Sequence, residues 1–266
     1  VISALFQSSA ARVLPVWNGH HLFELDGNEA AWINGKKSLS LYVNALEPIF
    51  LGLAEDDTPW FALALTGEDP PPAHDRATVF ESLHSRVGIL DADQAALLAY
   101  ARGMVLWHLN HLYCGRCGTT TESQDSGHIR SCSNEMCGHR IFPRTDPAVI
   151  TLVVHPDGDK CLLGRQGRWP EGMYSVVAGF VEPGESLEES VFREVKEETG
   201  IQTKNIQYVA SQPWPFPSSL MLGFKAQACN IDFNPDDDEL EEIRWVARDD
   251  LSYFGEMGDK LEGPKL

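Results

Sequence analysis

The sequence predicts an α+β protein whose C-terminal half carries a mixed sheet. Three observations support this prediction. A run of β-branched and apolar residues begins near Ala148, one long acidic helix follows, and further strand-like runs come after that helix. Strands, one dominant helix and then strands indicate a sheet with the helix packed on it. Four clustered cysteines and a series of short apolar runs precede this half of the chain.

Length, composition and charge narrow the class of protein. The chain has 266 residues, of which 43% are hydrophobic, so it is globular and long enough for more than one domain. It carries 21 Lys and Arg against 39 Asp and Glu, a formal net charge of −18. This charge argues against binding nucleic acid along an extended phosphate track. An acidic protein that acts on an anionic substrate needs metal ions to offset the repulsion.

The sequence also bears on location. It contains no apolar run of the length that a transmembrane helix needs and no signal-peptide pattern, so we predict a cytoplasmic protein with no membrane partner. The last three residues, 264–266, faintly resemble a peroxisomal address, which makes the peroxisome the alternative location.

Residues 1–109 are predicted to form a β-rich domain that ends in a helix. Short apolar runs at 49–53 and 60–65 are separated by Asp, Gly and Pro, as is typical of strands and turns. Residues 91–113 follow the helical period instead. This third of the chain shows no catalytic constellation, and packing, dimerisation and a substrate contact all stay open as its role. We expect the whole protein to be a homodimer.

Four cysteines predict a zinc ribbon at residues 110–144. Cys114 and Cys117 form one pair, and Cys132 and Cys137 form a second pair with four intervening residues, which is wider than the common spacing. Four thiolates saturate a tetrahedral Zn²⁺ site, so the site is predicted to be structural. Disulfides are the alternative, and an intracellular protein disfavours them.

Histidines and cysteines outside this cluster are predicted to have structural roles and not to bind metal. His108 and His111 lie on one face of the preceding helix, but the four cysteines already complete a site, so packing or hydrogen bonding is favoured for them. Cys161 and Cys229 lie in apolar runs and are interpreted as core thiols.

Strands are predicted on both sides of the acidic helix. Residues 148–154 and 161–163 form a hairpin around a turn at 155–158, and residues 174–178 lead into the helical segment. Residues 206–211, 220–228 and 243–246 are the later strands.

The acidic helix is the central feature of this half. Ser186 and Glu189 form a capping box that starts the helix at Leu187, and Gly200 ends it. Three glutamates stand at i, i+3 and i+4 and therefore share one face. They are Glu194, Glu197 and Glu198. Such a face is either solvated or joined by a cation, and oxygen ligands favour Mg²⁺ or Mn²⁺.

A proline-rich segment at 211–219 is predicted to be a rigid loop. Its alternating prolines stiffen the backbone and disfavour ladder pairing, while Trp214 and Phe216 present aromatic rings. Such a loop recognises a planar base with little ordering cost, and a plain surface turn is the alternative interpretation.

The helical segment and its neighbours resemble a known family. Gly179, then Glu185, then residues 193–201 (REVKEETGI) resemble the Nudix box without a departure. The cysteine ribbon, the aromatic-Pro-Arg-x-Asp-Pro segment at 142–147 and the loop SQPWPFPSS at 211–219 occur in the order found in the NADH pyrophosphatase branch of the Nudix hydrolases. The resemblance covers roughly residues 90–250.

This resemblance implies an activity and a domain. Residues 145–266 are expected to form a Nudix hydrolase domain, an α/β/α sandwich with a mixed sheet. The implied reaction is metal-dependent hydrolysis of the pyrophosphate bond of a dinucleotide, NADH or NAD, to nicotinamide mononucleotide and AMP. Members of the branch also remove NAD caps from RNA 5′ ends, so the 5′ end of an NAD-capped RNA is a further expected partner.

The resemblance also implies roles for individual residues. Glu194, Glu198 and the carbonyl of Ala178 would hold Mg²⁺ or Mn²⁺, with Glu197 sharing metal binding or activating water. Glu239 matches a further metal carboxylate, and Glu242 is the alternative in that acidic stretch.

Substrate and structural roles are implied in the same way. Phe142 would stack on a base of the substrate, and the segment 212–219 would line the same pocket. The residues of this segment are Gln212, Pro213, Trp214, Pro215, Phe216, Pro217, Ser218 and Ser219. Gly179, Glu185 and Arg193 are expected to be structural, with Arg193 pairing with Glu185 or a nearby carbonyl.

Two other functions fit parts of the sequence. A related hydrolase could cleave ADP-ribose, coenzyme A or diadenosine polyphosphates, although the 211–219 loop disfavours this. Alternatively, the chain is a zinc-ribbon binding module with an inactive hydrolase domain, but an inactive relative would normally have lost a box carboxylate, and none is lost here.

Overall fold

The computed structural model describes residues 2–25, 29–41, 45–69, 71, 77–86, 88–235 and 239–254. The chain divides into two compact units, Val1–Arg144 and Thr145–Leu266. Within the described residues, no helix is both long enough and apolar enough to cross a membrane. The tail at 264–266, on which the peroxisomal alternative depends, lies outside the described residues.

The described part of the first unit contains a mixed sheet and three α-helices. The helices are α1 (Ile2–Phe6), α2 (Gly35–Leu41) and α3 (Ala92–Asn110). The strands of the sheet are β1 (Arg12–Trp17), β2 (His20–Glu24), β3 (Ile33–Asn34), β4 (Ile49–Leu53), β5 (Pro59–Leu65) and β6 (Thr78–Ser82). A single 3₁₀ turn, Leu83–Ser85, follows β6. The sheet order is β4-β5-β1-β2-β6, with β3 paired to β1 and with β1 parallel to β5.

The zinc ribbon completes the first unit. Its strands are β7 (Thr121–Gln124), β8 (Ile129–Cys132) and β9 (Arg140–Ile141), with a 3₁₀ turn at Asp125–Gly127. A buried polar network joins it to α3: His108 Nε2 lies 2.7 Å from the carbonyl oxygen of Gly127, and His108 Nδ1 lies 2.9 Å from Nη1 of Arg130. His111 Nδ1 lies 2.7 Å from the carbonyl oxygen of Trp107. Both histidines therefore hold structure through hydrogen bonds, as the sequence indicated.

The second unit contains the predicted mixed sheet with one long helix. Its elements are β10 (Asp146–Val154), β11 (Lys160–Arg165), β12 (Val177–Phe180), α4 (Leu187–Thr199), β13 (Thr203–Trp214), β14 (Ser219–Ala228) and β15 (Glu242–Ala247), followed by a 3₁₀ helix, Asp249–Tyr253. The sheet order is β13-β14-β10-β11-β15, with β12 paired to β10. Because β10 and β14 are parallel and the other pairs are antiparallel, the sheet is mixed. This confirms the α+β prediction.

The core of the second unit lies between α4 and the sheet. Val191 and Val195 are completely buried on one stripe of α4 and pack with Val149, Val153 and Val177 of the strands. Full burial of each valine contributes about 1.5–3 kcal/mol. This apolar stripe fixes the rotation of α4. Glu198, seven residues after Val191 and therefore on the same side of the helix, is buried with it. Cys229, predicted to be a core thiol, is instead exposed.

The proline-rich segment differs in part from its prediction as a loop. Residues 212–214 continue β13 and pair with β14, with Gln212 opposite Met221, Pro213 opposite Leu220 and Trp214 opposite Ser219. The physical reason is the position of β13 at the sheet edge, where a missing proline N–H removes no bond to a second neighbour. Only residues 215–218 form the turn.

The two units repeat one strand path. In each sheet the central strand, β1 or β10, has a parallel neighbour, β5 or β14, which pairs antiparallel with an edge strand, β4 or β13. On its other side the central strand pairs antiparallel with β2 or β11, and β6 or β15 forms the opposite edge. A short strand, β3 or β12, pairs antiparallel with the central strand. The next helix, α2 or α4, contacts that short strand and the central strand. This repetition was not among the features predicted from the sequence.

The repeated helices differ in their chemistry. Six residues separate β12 from α4, whereas α2 begins at the residue after β3. Residues 35–45 contain two lysines and no Asp or Glu, in contrast with the glutamate-rich α4. The first unit thus has the strand path without the acidic helix face.

Candidate active site

Both ends of α4 are set by local interactions that the sequence predicted. Ser186 Oγ accepts a hydrogen bond from the N–H of Glu189 at 3.3 Å, and Glu189 Oε2 accepts one from the N–H of Ser186 at 2.8 Å. Gly200 ends the helix with φ 75°, a left-handed conformation that glycine adopts without steric cost. The capping box and the glycine therefore fix which residues of the helix face the site.

The three glutamates of α4 have different exposures on their shared face. Glu198 is 4% exposed, the Glu194 side chain is 14% exposed, and the Glu197 side chain is 45% exposed. A carboxylate that loses water needs a compensating positive charge or hydrogen bonds. Glu198 and Glu194 are therefore the carboxylates for which a cation matters most.

Arg193 joins the loop before α4 to the acidic face. Its Nε lies 2.6 Å from Glu185 Oε1, and its Nη2 donates to the carbonyl of Phe180 at 2.9 Å, as the structural role predicted for it requires. Its Nη1 also lies 2.9 Å from Glu194 Oε1 and 3.1 Å from Glu197 Oε2, which the sequence analysis did not anticipate. Hydrogen bonds from Arg193 lower the pKa of Glu185 to about 2, so this pair stays charged at physiological pH.

Gly179 allows the helix to approach the sheet closely. A Cβ atom at this position would overlap the carboxyl group of Glu194. The absence of a side chain in the middle of β12 therefore makes room for one carboxylate of the acidic face, next to Ala178 in the same strand.

Glu239 adds negative charge beside this face. Burial raises the pKa of Glu194, and the charges of Glu197 and Glu239 act in the same direction, while Arg193 opposes them. The carboxylate of Glu242, the alternative ligand, already has two other partners. Tyr174 donates a hydrogen bond to it, and Nε of Arg244 lies 3.0 Å from its Oε1. The surroundings thus favour Glu239 over Glu242 as a partner of Glu194.

The chemistry of this carboxylate set fits a hard divalent cation. All of the side-chain atoms that could bind a metal here are carboxylate oxygens, and two of the carboxylates, those of Glu194 and Glu198, are largely buried. These negative charges repel one another, and a bound cation would relieve that repulsion. Among the described residues, the only group of three or more possible ligands whose donor atoms all lie within 4.8 Å of one another is the cysteine cluster. Glu194 and Glu197 instead share the guanidinium of Arg193.

The 212–219 segment presents some of its predicted binding residues and buries others. Gln212, Pro213 and Pro217 are exposed, whereas Pro215 and Ser219 are buried. The rings of Trp214 and Phe216 meet edge to face, with centroids 5.2 Å apart. Ser218 Oγ donates to Asp146 Oδ2 at 2.7 Å. Ser218 thus anchors the turn that carries Phe216 to the start of β10.

Phe142 and Phe180 are among the exposed aromatic residues. Phe142, in the first unit, is 55% exposed, and the guanidinium of Arg140 lies 5.7 Å from its ring centroid. Phe180, in the second unit, is 57% exposed and directly follows Gly179 in β12. Phe180 was not predicted as a binding residue, although its position between Gly179 and the acidic helix could have suggested an aromatic contact for a base.

The four cysteines form the ligand set of the ribbon. The sulfur atoms of Cys114 and Cys137 lie 3.8 Å apart, and those of Cys117 and Cys132 lie 3.4 Å apart. Four thiolates about 2.3 Å from one tetrahedral ion are separated by about 3.8 Å, so the arrangement fits Zn²⁺. No described cysteine forms a disulfide. Hydrogen bonds from Thr119 lower the pKa of Cys117 to about 6, which favours its thiolate.

We expect purified protein to contain one zinc ion per chain, and the Cys132→Ser variant to lose it. Because a structural zinc site contributes folding free energy directly, the variant should also unfold at a lower temperature. Elemental analysis together with calorimetry would measure both effects. Cys229→Ser, at an exposed thiol outside the cluster, is the control and should keep its zinc. Absence of zinc from fully reduced, active protein would contradict the assignment.

Comparison with protein families accounts for three segments of the chain. Residues 144–262 match the NUDIX domain, residues 10–107 match the NADH pyrophosphatase-like rudimentary NUDIX domain, and residues 109–142 match the NADH pyrophosphatase zinc ribbon domain. The match at 10–107 agrees with the strand path that the first unit shares with the second. The match at 109–142 agrees with the geometry of the cysteine cluster.

Individual relatives support the same grouping. The chain is 36% identical over 250 residues to NAD-capped RNA hydrolase NudC of Mycobacterium bovis, covering 91% of this chain and 79% of that protein. It is 40% identical over 201 residues to human NAD-capped RNA hydrolase NUDT12, covering 72% and 44%. It is 44% identical over 161 residues to NudC of Pseudomonas aeruginosa, covering 60% and 56%. The chain thus spans about half the length of the latter two relatives.

Proposed function

Because this chain belongs to the NADH pyrophosphatase branch of the Nudix hydrolases, we propose that it hydrolyses the pyrophosphate bond of NADH or NAD to nicotinamide mononucleotide and AMP. The observation that carries the proposal is the acidic face of α4, in which Glu194 lies beside Gly179 and shares the helix face with Glu197 and Glu198. The three relatives named as NAD-capped RNA hydrolases support a dinucleotide as the substrate. They also support removal of NAD caps from RNA 5′ ends as a second activity.

We assign the metal ligands as the resemblance implies. Glu194, Glu198 and the carbonyl of Ala178 would hold Mg²⁺ or Mn²⁺, with Glu197 and Glu239 contributing further carboxylates. When bound, such ions neutralise the pyrophosphate oxygens and lower the pKa of a bound water. Burial of Glu198 supports its role as a ligand, and exposure of Glu197 suits a group that exchanges protons with solvent.

Arg193 and Gly179 serve this site indirectly. The guanidinium of Arg193 ties Glu185 and the carbonyl of Phe180 to the acidic face, so the loop before α4 keeps its position against the helix. It also balances the charge of Glu194 and Glu197 before a metal arrives. Gly179 leaves the space in which the carboxylate of Glu194 lies. The acidic face is thus arranged largely by the protein itself.

Recognition of the dinucleotide is assigned to aromatic rings on stiff supports. Trp214 and Phe216 are carried on the edge strand and on the turn that Ser218 anchors. Phe180 offers an exposed ring next to the acidic face, and Phe142 offers one at the end of the ribbon. Stacking on such rings suits a nicotinamide or adenine base, because every base has a π-face.

Replacing Phe142 by Ala is expected to weaken binding of a stacked base by roughly 1–3 kcal/mol, which raises KM for NADH by about fivefold or more. The change should leave kcat nearly unaltered, because stacking on a base contributes to binding and not to the chemistry at the pyrophosphate. Steady-state kinetics would measure both parameters. Met136→Ala, on a residue of the same ribbon that is 95% exposed, is the control. An unchanged KM in Phe142→Ala would remove the stacking role.

The proposed function is tested by product analysis with four substrates side by side. NADH, NAD, ADP-ribose and NAD-capped RNA would be incubated with the full chain and either Mg²⁺ or Mn²⁺, with metal-free reactions as controls. We expect metal-dependent formation of AMP from both dinucleotides, together with nicotinamide mononucleotide from NAD and its reduced form from NADH. Faster cleavage of ADP-ribose would favour the alternative hydrolase, and no cleavage of any substrate would favour the binding module.

A homodimer is also proposed. Tyr208 and Val209 of edge strand β13 are 56% and 65% exposed, so this edge offers apolar surface and unpaired backbone groups to a second copy. Light scattering would give the oligomeric state, and a monomer at micromolar concentration would contradict the proposal. The cytoplasmic location stays a prediction.

A further inference from the structure

A hydrogen-bonded chain leads from the segment after β11 to Glu239. Nε2 of Gln166 donates to Glu239 Oε1 at 2.7 Å, and Nε of Arg168 donates to Gln166 Oε1 at 2.8 Å. An amide has a donor end and an acceptor end, and here each end has a partner of the matching kind. The guanidinium can only donate, so it holds the amide with its N–H₂ group directed at the carboxylate.

The backbones of the two segments are also held together. The N–H of Glu241 donates to the carbonyl of Arg165 at 2.8 Å. A Cβ at Gly164 would lie 2.7 Å from Cδ1 of Leu240, and a Cβ at Gly167 would lie 3.4 Å from Oε2 of Glu241. Gly164 thus leaves room for the Leu240 side chain at the end of β11, and Gly167 lies at ordinary contact distance from Glu241. The hydrogen bond between Glu241 and Arg165 therefore sets the distance between the two backbone segments that carry Gln166 and Glu239.

The carboxylate of Glu239 faces open space rather than the core. Gln166, Gly167, Arg168 and Glu239 line a cavity of about 340 Å³. An acidic side chain at the wall of a cavity has several rotamers available unless a partner restricts it. The hydrogen bond from Gln166 restricts it, and because this donor is neutral it does not offset the negative charge of Glu239, whereas the guanidinium of Arg193 offsets that of Glu194.

We propose that Gln166 is a positioning residue that directs the carboxylate of Glu239 for divalent-metal binding, and that Arg168 sets the orientation of the Gln166 amide. The inference rests on the proposed function, because it assigns Glu239 to the metal site. Partners of this kind, which hold a ligand rather than the ion, change metal affinity by about 10- to 100-fold when they are removed.

The test measures Mn²⁺ binding by the full chain, using the electron paramagnetic resonance signal of free Mn²⁺, so that binding is read without turnover. Gln166→Leu is expected to bind Mn²⁺ about tenfold more weakly and to need about tenfold more Mn²⁺ for half-maximal NADH cleavage. At saturating Mn²⁺ its KM for NADH should stay within about twofold of wild type. Arg168→Ala should also weaken Mn²⁺ binding, but by less than Gln166→Leu does. In this variant Gln166 still has an N–H₂ group to donate to Glu239, but no guanidinium holds its amide in the required orientation.

Two controls separate positioning from a general effect on folding. Gln207→Leu, at an exposed glutamine of the same unit, should bind Mn²⁺ as wild type does. In a Glu239→Gln background, adding Gln166→Leu should cause no further loss of Mn²⁺ affinity, because the two residues act through one carboxylate. Thermal unfolding would verify that each variant is folded.

The outcomes distinguish this inference from the proposed function. If wild type binds Mn²⁺ and cleaves NADH while Gln166→Leu matches it in both, the positioning role is wrong and the function stands. If wild type neither binds Mn²⁺ nor cleaves any dinucleotide, both are wrong. If Gln166→Leu loses affinity equally with and without the Glu239 substitution, Gln166 does not act through Glu239 and the inference fails.

Discussion

We expect the Glu198→Gln variant to turn over NADH at least about a hundredfold more slowly than wild type, the scale observed when one stabilising contact to the transition state is removed. Glu198 is 4% exposed and lies on the face of α4 that carries the other candidate ligands. Glutamine keeps the size of the side chain and removes its charge, so the variant should fold while its hold on a divalent cation weakens. Steady-state kinetics at several Mn²⁺ concentrations would measure the loss.

The matched control is Glu188→Gln, which removes the same charge from an exposed position in the first turn of α4. Loss of one negative charge near the helix N-terminus costs about 0.3–1 kcal/mol of helix stability and should leave turnover within about twofold. Equal turnover of Glu198→Gln and wild type would remove Glu198 from the catalytic set. Equal losses in both variants would indicate a general effect of net charge.

The Gly179→Ala variant is expected to lose about a hundredfold in turnover, the cost of misplacing a catalytic group by roughly 1 Å. The added methyl group would overlap the carboxyl group of Glu194. That carboxyl group is the end of a flexible side chain, so it should rotate away and leave the backbone in place. The expected pattern is a nearly normal unfolding temperature together with weaker Mn²⁺ binding, measured by calorimetry and by paramagnetic resonance.

Gly103→Ala is the control for Gly179→Ala. It adds the same methyl group inside α3, where a Cβ would meet nothing within 4 Å. In a helix interior this change should stabilise the fold by about 0.5–1 kcal/mol and leave turnover unaltered. Normal activity in Gly179→Ala would mean that the close approach of β12 and Glu194 has no part in catalysis.

The features predictable from the sequence are those set by neighbouring residues. The start and end of α4 depend on Ser186, Glu189 and Gly200, all within or next to the helix, and both ends were predicted correctly. The two cysteine pairs likewise need only a short hairpin to meet. Burial of Val191 and Val195 follows from helical periodicity alone.

The features that escaped prediction depend on residues far apart in the chain. Pro213 pairs in a strand because β13 lies at the sheet edge, which only the complete strand order reveals. The sequence predicted Glu239 as a metal carboxylate with Glu242 as the alternative, but the surroundings of the two side chains could not be read within an acidic run. They depend on β15, which starts at Glu242 opposite Arg165 and so leaves Glu239 beside Gln166. No local pattern links Gln166 to a glutamate 73 positions away.

The strand path shared by the two units bears on the history of the chain. A duplicated ancestral domain leaves this record when selection keeps the chemistry in one copy and only the scaffold in the other. The first copy retains the parallel central pair and a helix in the equivalent place, but its residues 35–45 carry lysines in place of carboxylates. Inheritance of the sheet therefore did not require inheritance of the reaction. One place where the two units differ in chemistry is this helix with the six residues before it, and Glu239 beside Gln166 is a second place outside the helix.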